Sequence, residues 1–381
     1  MLPRIAQSQI LSVLTTGKVV VLYGPRQVGK TTLLHWLAGR MGGRGEILNG
    51  DFLDDRVLLK PERARLADLV EGLDYLFVDE AQLFPDVGRC LKAIHDHYPD
   101  VKLLATGSSA LDLSQHTGEP LTGRQIRVML YPLAYAELDP RASRRSTILE
   151  QAMLYGTYPE VWSLPHRDDK IAHLRQLVSD YVLKDVFALV DLNRSKLTDV
   201  LRLLALQIGS EVSLSEIGRQ VQMDTKTIAR YLDLLESAFV IIRLGGYSRN
   251  LRKEVAKSRK IYFIDLGLRN ALIQAFQPLD QRDDVGSLWE NLMVVERIKR
   301  HAYSGSRAQH YFWRTYDQKE LDLIEEEDGA LRAYEFKYGR RRAKIPPLWS
   351  ATYPDSTVEV IDAENAHRFL NMEWTPEESP G

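Results

Sequence analysis

The sequence has a single cysteine, no long apolar run and almost no net charge. One cysteine, Cys90, excludes an intrachain disulfide in 381 residues and fits a reducing compartment, so a cytoplasmic protein is expected. No run of about 18 apolar residues occurs and the N-terminal segment is too polar for a signal peptide, so no membrane partner is expected. The formal net charge of -2 means that any nucleic-acid binding must rest on local basic patches.

Short apolar runs alternate with segments of helical spacing along the first 140 residues. The runs Lys18–Tyr23, Tyr75–Val78, Val101–Ala105 and Gln125–Leu130 have the β-rich composition of buried strands. Strands that alternate with helices predict a parallel α/β sheet.

A glycine-rich loop, Gly24–Thr31, follows the first of these runs and precedes a helical segment, and it matches the pattern G-x-x-x-x-G-K-[ST]. In such a loop, backbone N–H groups wrap around phosphate oxygens at a helix N-terminus. Lys30 would reach the β- and γ-phosphates, and the Thr31 hydroxyl would bind magnesium. The motif therefore predicts a site for ATP and Mg²⁺. The predicted nucleotide-binding residues are Gly24, Pro25, Arg26, Gln27, Val28, Gly29, Lys30, Thr31 and Thr32.

Four polar residues beyond the loop, together with Lys30, form the predicted hydrolytic site. Asp79 ends an apolar run, as a magnesium-coordinating carboxylate does, and Glu80 is placed to activate the attacking water, unless the pair only caps a helix. Ser108 is either the γ-phosphate sensor or a turn serine. Arg124 either reaches the γ-phosphate of a neighbouring subunit or is an ordinary surface arginine. The first reading requires self-association, for example in a hexameric ring.

Residues 195–260 resemble a winged helix-turn-helix, in which the second helix enters a DNA major groove. Asp224 is the expected N-cap of that helix, and a strand follows at Phe239–Leu244. Winged helices also bind proteins or pack on ATPases, and a basic run is often a solvated face, so both alternatives stay open. The predicted DNA-binding residues are Lys226, Thr227 and Arg230 on the helix and Arg249, Arg252 and Lys253 beyond it, in a basic run that continues to Lys260.

Charged residues of the C-terminal segment follow the order of a known nuclease core. Glu290 lies on a predicted helix, Asp322 on a strand, and Glu335 and Lys337 on the next strand, facing the same side. This order resembles the PD-(D/E)xK nucleases of the restriction-endonuclease-like fold. The resemblance implies that Asp322 and Glu335 hold a divalent metal and that Lys337 positions a water. The alternatives are an inactive domain of this fold or a structural ion-pair network.

The combined motifs resemble a prokaryotic group of AAA-type ATPases that carry a C-terminal domain of unknown function. The resemblance covers nearly the whole chain and implies a phosphate-loop ATPase without supplying a biological role. The segments that carry it are GPRQVGKTTL, LFVDEAQ, LLATGSS, LTGR, YPLAYAEL, GTYPEV, YVLKDV, KIYFIDLGLRNAL, GSLWENLMVVE and YFWRTYDQKELDLI.

The expected fold class is α/β, in four segments. They are a parallel-sheet phosphate-loop ATPase domain in residues 1–140, a helical bridge in 141–194, a winged helix in 195–260 and a restriction-endonuclease-like α/β domain in 261–381. The expected function is an oligomeric ATPase acting on duplex or branched DNA. The alternatives are a nucleotide-controlled switch in signalling or defence without a nucleic-acid substrate, and an ATPase directed to RNA.

Overall fold

The computed structural model describes most of the chain: residues 2–107, 121–138, 142–182, 194–248, 259–315, 318–339, 344–372 and 374. These residues fall into two compact units, unit 1 within Met1–Pro132 together with Trp374, and unit 2 within Leu133–Glu373. The predicted site residues outside the described ranges are Ser108, Arg249, Arg252 and Lys253.

Unit 1 is built on a parallel sheet. Its strands are β1 (Val19–Tyr23), β2 (Gly45–Asn49), β3 (Tyr75–Asp79), β4 (Lys102–Gly107) and β5 (Gln125–Met129). They lie in the order β2-β3-β4-β1-β5 with every pair parallel, so the predicted parallel α/β sheet is confirmed. The carboxyl ends of β1, β3 and β4 therefore meet at one edge, which is where ligands bind in open α/β sheets.

All but one of the α-helices described in unit 1 bury apolar residues, and the exception is Leu53–Leu58. These helices are α1 (Ala6–Leu14), α2 (Lys30–Met41), α3 (Leu53–Leu58), α4 (Arg63–Val70) and α5 (Val87–His97). On α5 the buried residues include Val87, Cys90, Leu91 and Ile94, the spacing of one helical face. Cys90 is thus a core residue, and burial raises the pKa of its thiol to about 12, which keeps it protonated and unreactive.

Unit 2 contains a mixed sheet in the order β11-β10-β9-β8-β6-β7. Its strands are β6 (Ile241–Gly246), β7 (Arg259–Phe263), β8 (Gln309–Arg314), β9 (Glu320–Glu327), β10 (Ala330–Phe336) and β11 (Thr357–Ile361). β6 comes from the predicted winged helix, yet it pairs with β7 and with β8 of the C-terminal segment. The predicted boundary between residues 260 and 261 therefore falls inside β7 and inside one continuous sheet.

Helices surround this sheet and precede it in the chain, and none of the described helices is long and apolar enough to cross a membrane. They are α6 (Arg145–Tyr155), α7 (Pro159–Ser163), α8 (Arg167–Leu177), α9 (Arg194–Leu206), α10 (Leu214–Val221), α11 (Thr225–Ser237), α12 (Leu266–Ile273), α13 (Val285–Ser304), α14 (Pro347–Thr352) and α15 (Ala366–Leu370).

A tight turn joins α10 to α11. A Cβ at Gly218 would lie 2.6 Å from the carbonyl oxygen of Met223, so a side chain there would block the close approach of the turn to α10. Gln222 takes a left-handed conformation, and the Asp224 side chain accepts from the backbone N–H groups of Lys226 and Thr227. The predicted N-cap at Asp224 is confirmed, and the two helices have the order and short connection of a helix-turn-helix.

A tryptophan anchors the apolar layer on one part of the unit 2 sheet. Trp349 of α14 is fully buried against Trp313 and Tyr353, and its indole N–H donates to the Ser356 hydroxyl at 2.8 Å. The indole thus fills volume and satisfies its polar atom, as buried tryptophans usually do.

Replacing Trp349 with alanine should lower the free energy of unfolding of unit 2 by about 3–5 kcal/mol, because the lost indole leaves a cavity. Far-UV circular dichroism during urea unfolding measures this change. The matched control is Leu348→Ala, since the Leu348 side chain beside it is 56% exposed; its effect should stay within about 0.5 kcal/mol. Equal effects of the two substitutions would contradict the role given to Trp349.

Candidate ATP site and buried carboxylate cluster

The backbone of the phosphate loop takes conformations that favour glycine at its two ends. Gly24 has φ 154°, and a Cβ there would lie 2.1 Å from the carbonyl oxygen of Leu130, so the loop starts in direct contact with the segment after β5. Gln27 and Gly29 also have positive φ, 60° and 95°, immediately before α2 begins at Lys30. The N–H groups at the start of α2 have no helical partner, which suits them to bind phosphate oxygens.

Lys30 lies over this loop. Its residue is 5% exposed, and its ammonium donates to the carbonyl oxygens of Gly24 at 2.9 Å and Pro25 at 2.8 Å. The cation is therefore held at the concave side of the loop, where a phosphate group would take up its charge. The neighbouring Arg26, Gln27, Thr31 and Thr32 are exposed, as residues at the mouth of a ligand site are.

Asp79 connects the loop to the sheet. Its buried carboxylate accepts from the Thr31 hydroxyl at 2.8 Å through Oδ2 and from the Thr106 hydroxyl at 2.5 Å through Oδ1. Thr106 also accepts from the backbone N–H of Glu80 at 3.1 Å. Because both carboxylate oxygens accept hydrogen bonds from hydroxyl groups, Asp79 orients Thr31 as well as supplying negative charge. The sequence pattern did not single out Thr106, since a threonine inside a strand carries no distinctive signal.

Glu80 follows Asp79 at the end of β3 in a left-handed conformation, with φ 47° and ψ 50°. Non-glycine residues rarely adopt this conformation, and it often marks functional sites. The Gln82 side-chain amide donates to Glu80 Oε2 at 2.5 Å. The carboxylate that would activate a water is thus held by a neighbouring side chain at the same edge of the sheet as the phosphate loop.

The oxygen donors at this edge suit magnesium, which binds through hydroxyl, carboxylate, water and phosphate oxygens. Thr31 would supply the hydroxyl, which donates its hydrogen bond to Asp79, so that an oxygen lone pair remains for a cation. The residues present therefore fit the ion that the motif implies.

Arg124 lies at the amino ends of the strands, whereas the phosphate loop lies at their carboxyl ends. It directly precedes β5, and β5 runs parallel to β1 with Val19 opposite Gln125, so Arg124 lies beside the start of β1. Its Nε donates to Asp96 Oδ1 at 2.7 Å, and this bond lowers the pKa of Asp96 to about 2. The structure does not bring Arg124 to the phosphate loop of its own chain, and a role in a neighbouring subunit stays a prediction.

A buried ion-pair cluster lies in unit 2. The Lys260 ammonium donates to Glu290 Oε1 at 2.8 Å, contacts Glu320 Oε1 and lies 3.8 Å from Asp322 Oδ1. Lys260 is only 1% exposed. The expectation that Lys260 extends a basic surface run is wrong, because these carboxylates surround its ammonium and neutralise it away from water.

Asp322 and Glu335 form the other side of this cluster. Asp322 Oδ2 accepts from the backbone N–H of Phe336 at 2.7 Å, and Glu335 Oε1 pairs with Lys337 at 2.5 Å. Glu335 Oε2 is buried with no hydrogen-bond partner among the described residues. Desolvation raises the pKa of both carboxyl groups, well above the ordinary range for Asp322.

Three carboxylates of this cluster, Glu290, Glu320 and Asp322, offer ligand atoms within 4.8 Å of one another, a spacing that suits a metal ion. Glu290 accepts hydrogen bonds from the Lys260 ammonium and from the Tyr262 hydroxyl, the latter at 2.7 Å. This predicted nuclease-like residue is therefore part of an ion pair in the structure. Among the described residues, the four carboxyl groups of this cluster outnumber its cations by one, since the Arg314 guanidinium lies 3.5 Å from Glu320 Oε2 and adds to the ammonium groups of Lys260 and Lys337. Glu335 Oε2, which has no hydrogen-bond partner among the described residues, is a further oxygen of this cluster that is open to an added cation.

The predicted DNA-binding side chains of α11 are only partly available. Lys226 and Arg230 are exposed, as a groove-contacting helix requires. Thr227 is half-buried, and its hydroxyl donates to Asp224 Oδ2 at 2.5 Å, so it serves the helix cap.

Comparisons with known proteins agree with the geometry of unit 1. Residues 16–139 match the family model of an AAA domain. Residues 146–279 and 285–346 match the models of two domains of unknown function, DUF8612 and DUF4143.

Two relatives extend the match along the chain. An uncharacterized protein of Mycobacterium tuberculosis is 29% identical over 339 residues, 88% of this chain and 73% of that protein. An uncharacterized protein of Haemophilus influenzae is 25% identical over 284 residues, 71% of this chain and 66% of that protein. A Walker-type ATPase of Pyrococcus abyssi is 16% identical and matches with a TM-score of 0.53, covering 72% of this chain and 96% of that structure, which shows a shared fold. The AAA family model thus covers the segment of this chain that contains the phosphate loop, Asp79 and Glu80.

Replacing Thr106 with valine should lower ATP turnover about tenfold, because Asp79 loses a hydroxyl donor and the Glu80 amide loses its acceptor. Steady-state ATP hydrolysis measures this, and equilibrium ATP binding should change little. The control is Thr106→Ser, which keeps the hydroxyl and should keep most of the activity. Wild-type turnover in Thr106→Val would show that this hydroxyl does not support the hydrolytic site.

Proposed function

We propose that this ATPase hydrolyses ATP with Mg²⁺ at the edge formed by the phosphate loop, Asp79 and Glu80, and that it uses the hydrolysis to act on DNA. The observation that carries the hydrolytic part is the Asp79 carboxylate, which joins the Thr31 hydroxyl of the loop to Thr106 of β4. This arrangement holds the magnesium ligand and the water-activating residue next to the phosphate cradle.

The residues divide the chemistry of hydrolysis between them. Lys30 and the loop amides bind the β- and γ-phosphates and offset their charge. Glu80 accepts a proton from the attacking water. The Gln82 amide donates to the Glu80 carboxylate and the Thr106 hydroxyl accepts from the Glu80 backbone N–H, so both ends of Glu80 are held in place. Magnesium, when bound to Thr31, neutralises charge that develops on the phosphate oxygens.

The second part of the proposal concerns α10 and α11. Their short turn and the N-cap at Asp224 are typical of a helix-turn-helix, and Lys226 and Arg230 project from the N-terminal half of the second helix. The antiparallel pair β6 and β7 follows directly, as a wing would. These features support binding of duplex DNA, with phosphate contacts from the exposed cations.

Duplex or branched DNA should stimulate ATP turnover, and Lys226→Ala combined with Arg230→Ala should remove the stimulation while basal turnover stays unchanged. DNA affinity measured against salt should show a log–log slope smaller by about two, because two phosphate contacts are lost.

The matched control is Arg65→Ala combined with Arg89→Ala, which removes the same charge from exposed positions of unit 1. Equal losses in both double variants would indicate a general charge effect. An ATP turnover rate that no DNA changes would favour a nucleotide-controlled switch. Stronger stimulation by RNA than by DNA of the same sequence would favour an RNA-directed ATPase.

A metal-dependent nuclease is a second candidate, and the orphaned Glu335 Oε2 in a cluster with excess negative charge favours it. Asp322 and Glu335 would hold one divalent cation, which polarises a phosphodiester and makes a bound water more acidic. Lys337 lies 2.5 Å from Glu335, within reach to stabilise charge on the substrate.

With Mn²⁺ and no nucleotide, the protein should cleave at least one of branched, duplex or single-stranded DNA, and Asp322→Ala should abolish the cleavage. The control is Glu326→Gln, since Glu326 lies on the same strand outside the cluster. Absence of metal-dependent cutting, or cutting that survives Asp322→Ala, would leave the cluster as a structural ion-pair network.

A further inference from the structure

We propose that Arg4 is a positioning residue for the phosphate loop, and this rests on the ATP site described above. The Arg4 guanidinium is buried, and it donates to the carbonyl oxygen of Val28 at 2.7 Å and to that of Tyr131 at 2.6 Å. Val28 is the loop residue before Gly29, and Tyr131 follows β5. One side chain thus ties the end of the loop to a distant segment of the same unit.

The segment after β5 supports both ends of the loop. At the start of the loop, the Leu130 carbonyl oxygen lies so close to Gly24 that a Cβ there would be 2.1 Å away, and the Leu130 N–H donates to Tyr23 at 2.8 Å. At the other end, Arg4 bridges the gap between Val28 and Tyr131. Without the guanidinium, the Val28 carbonyl would lose a charged donor, and the left-handed turn at Gln27 and Gly29 would lose a constraint.

Arg4 itself is held by the start of α1. Its backbone N–H donates to the Gln7 side-chain oxygen at 3.0 Å, and its carbonyl oxygen accepts from the Gln7 N–H at 3.1 Å. Ala6 and Ile10 of α1 are fully buried, so this segment is packed firmly. A guanidinium on a fixed backbone can hold two carbonyl groups at once, since its donors form a rigid planar fork.

The position also places positive charge beside the phosphates. A Cβ built on Gly29 would lie 3.9 Å from an Arg4 terminal nitrogen, so the guanidinium lies directly behind the loop. The charge cannot be lost at any ordinary pH, because arginine stays protonated. Arg4 therefore acts behind the loop in two ways, by fixing the Val28 carbonyl and by favouring an anionic ligand in front of it.

The test compares Arg4→Met, Arg4→Lys and Lys18→Met. Lys18 is the matched control, because its ammonium also donates to a backbone carbonyl oxygen, that of Gly123, but at the amino ends of the strands, away from the loop. For each folded variant, ATP affinity is measured by calorimetry and kcat and KM by steady-state hydrolysis.

Arg4→Met should raise KM and Kd for ATP about tenfold or more, from the loss of charged hydrogen bonds to the loop. Arg4→Lys should have KM and Kd values for ATP between those of Arg4→Met and the wild type, since an ammonium lacks the planar fork. Lys18→Met should leave both constants unchanged. Kd for ATP within twofold of wild type in folded Arg4→Met would overturn the proposal, as would an equal rise in Lys18→Met. If Arg4→Met does not fold, Arg4→Lys carries the test by the same criteria.

Discussion

The ATP site depends on the hydrogen bonds that the buried Asp79 carboxylate accepts from Thr31 and Thr106. A buried carboxylate is stable only when such donors satisfy it. The parallel register supplies them, because Val78 lies opposite Ala105 and Tyr23 opposite Gly107, so the ends of β3, β4 and β1 coincide. The direction of the Thr31 hydroxyl and the position of Glu80 both follow from this alignment.

Sequence patterns predicted the residues of this site that are neighbours in the chain. They did not predict the residues that only the fold brings together. The phosphate loop is a run of neighbouring residues, so its spacing alone predicts its geometry. Thr106 bonds to Asp79 across 27 positions of the chain through the alignment of neighbouring strands, and Arg4 bonds to Val28 of the loop across 24 positions. Nothing in their local sequence distinguishes them. β2 was also missed, because only Leu48 of this edge strand is buried.

Unit 2 shows how neighbours in sequence can have opposite environments. Lys260 ends a basic run, and charge alone predicted an exposed position for it. Strand β7 instead buries Lys260 and Tyr262, where both bond to Glu290. By contrast, the spacing of two between Glu335 and Lys337 predicted that their side chains lie on one side, and the two form an ion pair at 2.5 Å, although β10 ends at Phe336. Spacing along the chain was informative here, whereas burial required the tertiary fold.

The polar sites of the two units hold different sets of charged groups. The phosphate loop has the Lys30 ammonium in front of it, the Arg4 guanidinium behind it and helical N–H groups at its end. The cluster around Asp322 and Glu335 has carboxylates in excess of its ammonium groups. The first set of groups favours an anionic ligand, and the carboxyl groups of the second favour a cation. Because these preferences come from buried groups that salt screens weakly, they should persist at physiological ionic strength.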